Sequence, residues 1–211
     1  LMECPSEKSF SAECAIASIA GERDEISGDT AVAFESEGGY FYSLISDGMG
    51  SGGEAKQTSS LVADFLRGAL EFSPEGQTVL KILNHTVRHK HRECSATVDL
   101  FAVDLYRGDA EFLKCGAAAS YVKRGSSIFR IKSKTAPLGL MKSVDAERIK
   151  IDLEGDDYII MLSDGIAQSA EDTPWLLDLL SIPPKRNLKE YADSILTAAL
   201  KNMPRSDDMT V

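Results

Sequence analysis

The sequence is short of several things, and each shortage excludes a class of protein. Four cysteines, Cys4, Cys14, Cys94 and Cys115, are scattered along 211 residues, and no CxxC pair is present. A zinc site is disfavoured, and reduced thiols in a cytoplasmic compartment fit better. No signal peptide opens the chain, and no apolar run is long enough to span a bilayer. Positive charge is scarce: 23 Lys and Arg stand against 33 Asp and Glu, for a formal net charge of −10. That balance argues against nucleic acid and anionic membranes as partners. The one basic knot, Arg88-His89-Lys90-His91-Arg92, reads as a solvated helix end. His85, His89 and His91 all crowd that end, so Ser/His or Cys/His catalysis has no support. No GxxxxGK loop is present, which removes the usual nucleoside triphosphatase signature.

The length suits one good-sized core, and we expect residues 1–211 to form a single domain. The chain begins at Leu1 and ends at Val211, where an apolar strand starts. We therefore expect the C-terminal part of a longer protein, with room for a membrane anchor elsewhere in the parent. Residues 9–19 suggest an opening strand. Thr30–Phe34 and residues 40–46 predict a hairpin around Glu37-Gly38-Gly39. Glu54–Phe72 predicts a helix, and a second runs from Ser73-Pro74-Glu75 to about Arg92. Strands follow over 97–105 and 110–115, with Arg107-Gly108-Asp109 as a plain hairpin turn. A second hairpin is expected over 120–123 and 127–131, and a third pairs 148–153 with 158–162. Thr173-Pro174-Trp175 and Asn187-Leu188-Lys189-Glu190 each open a helix. Segregated runs of strands and helices, without βαβ alternation, indicate an α+β fold.

One stretch organises the rest: Tyr40–Glu54, YFYSLISDGMGSGGE. An apolar strand ends at Asp47, then passes through a glycine-rich turn into a helix. Burying an unpaired carboxylate is costly, and no Lys or Arg lies within eight residues of Asp47. A metal ion is the simplest local answer. The pattern recurs: Ile159-Ile160-Met161-Leu162-Ser163-Asp164-Gly165 is again apolar strand, Ser, Asp, Gly. Asp29 starts the hairpin strand that faces the end of the Asp47 strand, so both acids lie at one sheet edge. Asp207-Asp208 adds acids at a strand boundary. Oxygen-only donors select hard cations, Mg²⁺ or Mn²⁺. Two close ions lower the pKa of a shared water and neutralise phosphate oxygens, which suits in-line hydrolysis of a phosphoester. Gly48-Met49-Gly50-Ser51-Gly52-Gly53 also fits GxGxxG, a dinucleotide fingerprint. Asp47 would repel a pyrophosphate there, and the alternating βαβ order is missing.

Ser27-Gly28-Asp29, Asp47-Gly48-Met49-Gly50, Ser163-Asp164-Gly165 and Asp207-Asp208-Met209-Thr210-Val211 together resemble the metal-dependent PPM serine/threonine phosphatases, the type 2C class. Glu93–Leu100, Lys114–Ser120 and Lys134–Gly139 resemble the sporulation subgroup of stage II protein E phosphatase domains. The resemblance implies an α-β-β-α sandwich of two antiparallel sheets flanked by helices. It implies two ions, with Asp47 bridging both, Asp164 and Asp207 on the first, and the Gly48 carbonyl and Asp29 serving the second. Asp208 stands where many relatives carry Asn. Two departures accompany the likeness: Gly28 replaces an acid that many relatives have, and no early-strand arginine appears in residues 10–20 to bind phosphate. The implied substrate is a phosphoserine on an anti-sigma factor antagonist, whose dephosphorylation releases a sigma factor in sporulation. Relatives are regulated by a preceding segment and by oligomerisation, so a homodimer is implied. The alternative is a regulatory pseudophosphatase that binds a phosphoprotein without turnover.

Overall fold

The structure is a computed structural model describing residues 7–88, 94–144, 146–167, 173–184 and 187–211. In chain order its elements are β1 (Ser18–Ile19), β2 (Asp29–Glu35), β3 (Tyr40–Asp47), α1 (Gly52–Leu70), α2 (Gly76–Arg88), β4 (Val98–Asp104) and β5 (Asp109–Cys115). They continue with β6 (Ser120–Arg124), β7 (Ser127–Ile131), β8 (Glu147–Asp152), β9 (Tyr158–Ile160), α3 (Pro174–Ser181), α4 (Leu188–Asn202) and β10 (Met209–Thr210). A five-stranded antiparallel sheet has the order β2-β3-β4-β5-β8, and a three-stranded one the order β7-β6-β9. β1 and β10 form a separate antiparallel pair.

Three apolar layers define the stack. Val62, Leu66 and Leu70 of α1 and Val79, Leu80, Leu83 and Val87 of α2 repeat at helical spacing. They pack on Leu44, Val98, Leu100 and Leu113 of the large sheet. Leu176 and Leu180 of α3 and Tyr191, Ile195 and Ala199 of α4 pack on Tyr121 and Ile160 of the small sheet. Between the sheets lie Ile45, Phe101, Val103, Phe112, Val122, Ile131 and Met161. Strand residues alternate between faces, so Leu44 meets the helices while Ile45 meets the other sheet. The expected α-β-β-α sandwich is the observed one.

Two readings need correction. Residues 148–153 and 158–162 do not pair with each other: β8 joins β5 in the large sheet, while β9 joins β6 in the small one. The intervening Glu154-Gly155-Asp156-Asp157 carries the chain from one sheet to the other. Its Asp157 is fixed by Arg124, whose guanidinium donates at 2.9 and 2.7 Å. The opening strand over 9–19 shrinks to Ser18–Ile19. The Ser9 and Phe10 N–H groups donate to the Leu105 carbonyl, and Ala17 exchanges two hydrogen bonds with Val211. The second helix is described to Arg88, and the rest of the basic knot lies outside the described residues.

Candidate active site

The β2–β3 hairpin sets the first pair of acids. Its turn closes through Ser36 N–H to the Tyr40 carbonyl at 2.8 Å, and Gly39 adopts φ +76°. That register places Asp29 directly opposite Asp47. Asp47 keeps the parity of Ile45, so it faces the gap between the sheets. The chain then turns through Gly50 and Gly52, at φ +114° and +60°, into α1. The positive angle at Gly50 and the close approach at Gly48 account for two of the three glycines of the GxGxxG pattern, and the antiparallel sheet around them is not a dinucleotide fold.

Asp164 arrives from the small sheet, just past β9. Ser163 N–H donates to the Thr210 carbonyl at 3.0 Å, and Thr210 N–H donates to Ser163 Oγ at 2.9 Å. These bonds hold the second Ser-Asp-Gly against β10, so Asp164 and Asp207 meet. In both copies of the motif the glycine is a close-approach residue. A Cβ at Gly48 would stand 2.0 Å from the Ala55 carbonyl oxygen, and one at Gly165 would stand 2.1 Å from that of Asp208.

The acids feel one another. Burial, then the charges of Asp29, Asp164, Asp207 and Asp208, push Asp47 up to about 8. Burial also pushes Asp29 up to about 6, with Asp208 and Asp164 adding to it. Asp164 is raised by burial and by Asp207. The hydroxyls of Thr210 and Ser163 moderate Asp29. Neither makes a hydrogen bond of normal geometry to it, and both Asp29 carboxylate oxygens are buried without a partner. Among the described residues no three ligand-type side chains are drawn to the spacing of a closed metal shell. The cluster converges and stays open. Buried, partnerless carboxylate oxygens beside further acids are the donor chemistry that a hard cation requires, so these residues fit a divalent ion.

A nearby cation, Lys56, is directed elsewhere. Lys56 Nζ donates to the Asp29 carbonyl at 2.6 Å and to Thr30 Oγ1 at 3.0 Å. Among the described residues no ion pair joins it to a carboxylate of the cluster.

Asp207 and Asp208 have different surroundings. Asp207 is exposed, and its Oδ1 accepts from Asp208 N–H at 2.9 Å. Asp208 is buried, and its two oxygens accept from Gly21 N–H at 2.7 Å and Gly28 N–H at 2.6 Å. A Cβ at Gly28 would press on the Ala55 methyl at 2.8 Å and on Asp208 Oδ2 at 3.1 Å. Position 28 is therefore closed to an acid, and Asp208 supplies negative charge beside it. The sequence reading missed this clamp. Two adjacent acids before a strand gave the only hint.

The reading also gave no role to Asp99, Lys114 and Ser120, all buried and hydrogen-bonded together. Opposite charges near adjoining ends of two neighbouring strands, Asp99 in β4 and Lys114 in β5, were the available signal.

Comparison with known proteins agrees with this geometry. The chain is 26% identical over 211 residues to the stage II sporulation protein E of Priestia megaterium, covering 97% of this chain and 36% of the relative. It thus spans about a third of that relative's length. The solved structure of the PP2C phosphatase domain, with a fragment of the regulatory domain, of the cell fate determinant SpoIIE from Bacillus subtilis superposes with a TM-score of 0.87. Identity there is 26%, over 97% of this chain and 63% of that one. RsbX in complex with magnesium shares the fold at TM-score 0.73 and 18% identity, over 92% of this chain and 90% of that one. The family model of stage II sporulation protein E matches residues 37–211. The chain therefore belongs to the SpoIIE family and has the fold of its PP2C-type phosphatase domain.

Proposed function

We propose that residues 1–211 form one phosphatase domain of a longer protein. It removes phosphate from phosphoserine or phosphothreonine on a small regulatory phosphoprotein, using two divalent cations, Mn²⁺ or Mg²⁺. The observation that supports this is the meeting of Asp29 and Asp47 from the large sheet with Asp164 and Asp207 from beyond the small one, with no described cation at their carboxylates. Asp47 would bridge both ions, Asp164 and Asp207 would hold the first, and Asp29 and the Gly48 carbonyl would hold the second. Bound there, the ions would supply a deprotonated water near neutral pH and neutralise phosphate oxygens.

The chain's own residues do the rest. Asp29 and Asp47 must release their protons before they can hold a cation, so binding strengthens as pH rises. Asp208 pins Gly21 and Gly28, which fixes the loop leading to Asp29. Ser163 and Thr210 hold Asp164 and Asp207 together.

By family, the partner is a phosphorylated anti-sigma factor antagonist, and its dephosphorylation frees a sigma factor during sporulation. The domain would work in the cytoplasm, with its parent at the membrane and active as a homodimer. No described helix is long and apolar enough to cross a membrane. Phosphate release from such a phosphoprotein should require Mn²⁺ or Mg²⁺ and fall by roughly 10²–10³-fold in Asp47→Asn. Full activity in the presence of a chelator would overturn the reading.

The closed position at Gly28 favours one rival, a pseudophosphatase with a weak second ion site. Partner binding that persists in Asp164→Asn, with no turnover under any divalent metal, would select it.

A further inference from the structure

A second polar cluster lies one row behind the acids. Asp99 of β4 stands opposite Ile45 of β3, two residues short of Asp47 and on the same face. Lys114 of β5 stands opposite Asp99. Ser120 opens β6 in the other sheet. All three residues are at most 1% exposed. Lys114 Nζ lies 2.6 Å from Asp99 Oδ2 and donates to Ser120 Oγ at 2.9 Å. The Ser120 hydroxyl donates in turn to Asp99 Oδ2. Lys114 also sits 5.6 Å from the centroid of the Phe112 ring. Burial raises Asp99 and lowers Lys114 from their ordinary values, and their mutual attraction opposes both shifts.

Most of the layer around it between the sheets is apolar: Ile45, Phe101, Val103, Phe112, Val122, Ile131 and Met161. Apolar contact has no direction, and it tolerates small slips of one sheet over the other. Hydrogen bonds across the gap do not, because they weaken steeply with distance and angle. The cluster joins β4 and β5 of the large sheet to β6 of the small one. Tyr121, next to Ser120, pairs with Ile160, four residues before Asp164. The cluster thus ties the strand neighbouring Asp47 to the strand neighbouring Asp164's own. A buried ion pair adds little net stability over apolar residues of the same volume, so its use here is directional.

We propose that Asp99, Lys114 and Ser120 are positioning residues that set the separation of Asp47 and Asp164 by fixing how the two sheets sit on each other. The spacing itself can be read without any ion; only the metal readout rests on the proposed function.

The test is the double variant Asp99→Leu with Lys114→Met, which leaves no buried charge unpaired. It should unfold at a temperature close to that of the parent chain. Its crystal structure should show Asp47 and Asp164 displaced relative to each other by about 1 Å or more, a scale at which site geometry fails. Mn²⁺ affinity by calorimetry should be roughly tenfold weaker. Unchanged spacing in the folded double variant overturns the proposal.

If the double variant does not fold, Ser120→Ala decides. It removes only the hydroxyl from the far sheet, and it should move the same spacing in a stable protein. A Ser120→Ala structure with the parent's spacing then overturns the proposal. Should the parent chain bind no Mn²⁺, the phosphatase reading fails, while the spacing still tests this one.

Discussion

Asp47 and Asp99 face the same gap from neighbouring strands, one row apart, and their surroundings differ in one respect. Asp99 has a buried ammonium 2.6 Å away, whereas Asp47 has only other acids. Burial works against the charged form in both. At Asp99 the protein answers that cost from its own chain. At Asp47 it leaves the cost standing. An acid answered internally can serve as a joint, and an acid left unanswered among its own kind has the donor chemistry that a hard cation requires.

The same change should therefore have opposite consequences at the two positions. Asp99→Asn strands the Lys114 charge in the core, and about 3–5 kcal/mol of stability should be lost in denaturant melts, the usual cost of breaking a buried pair. Asp47→Asn removes a repelled charge, so the metal-free protein should melt at a higher temperature at pH 8 while activity is lost. A lower melting temperature for metal-free Asp47→Asn would break the comparison.

The pH dependence sharpens it. Folded Asp47 and Asp29 titrate near 8 and 6, above the ordinary carboxylate value near 4. The folded state thus binds more protons than the unfolded one across that window. Metal-free stability should fall as pH rises from about 4 to about 8 and be fullest below 4. Saturating Mn²⁺ should reverse the slope, as read by thermal melts across a pH series. A flat metal-free profile would mean that neither burial nor the neighbouring acids raise Asp47 and Asp29.

The smallest effect belongs to Lys56, which faces a carbonyl and a hydroxyl. Lys56→Met should cost about 1 kcal/mol, the scale of one or two neutral-acceptor hydrogen bonds. It should leave the pH slope of the metal-free protein in place. A change in that slope would show that Lys56 belongs to the acid cluster.

These contrasts mark what the sequence could convey. The meeting of Asp29 and Asp47 was legible, because a short turn fixes the register of a hairpin and register fixes which residues face each other. The layered architecture followed from helix and strand periodicities and from the resemblance. The partners of β8 and β9 were not legible. Glu154-Gly155-Asp156 looks like a hairpin turn, and only packing against Arg124 and Asp157 reveals a crossover between sheets. The Asp99–Lys114 joint escaped notice because each charge alone resembles an ordinary strand residue. Their opposition depends on the β4–β5 register.

The grip of Asp208 on Gly21 and Gly28 has a consequence for that position. A carboxylate offers an acceptor at each tip, so one side chain works as a drawstring and cinches the mouth of the 21–28 loop from both ends. An amide of equal shape has an acceptor at one tip and a donor at the other, and would leave one end of the string untied. With glycine at 28, asparagine at 208 would let the loop that delivers Asp29 gape.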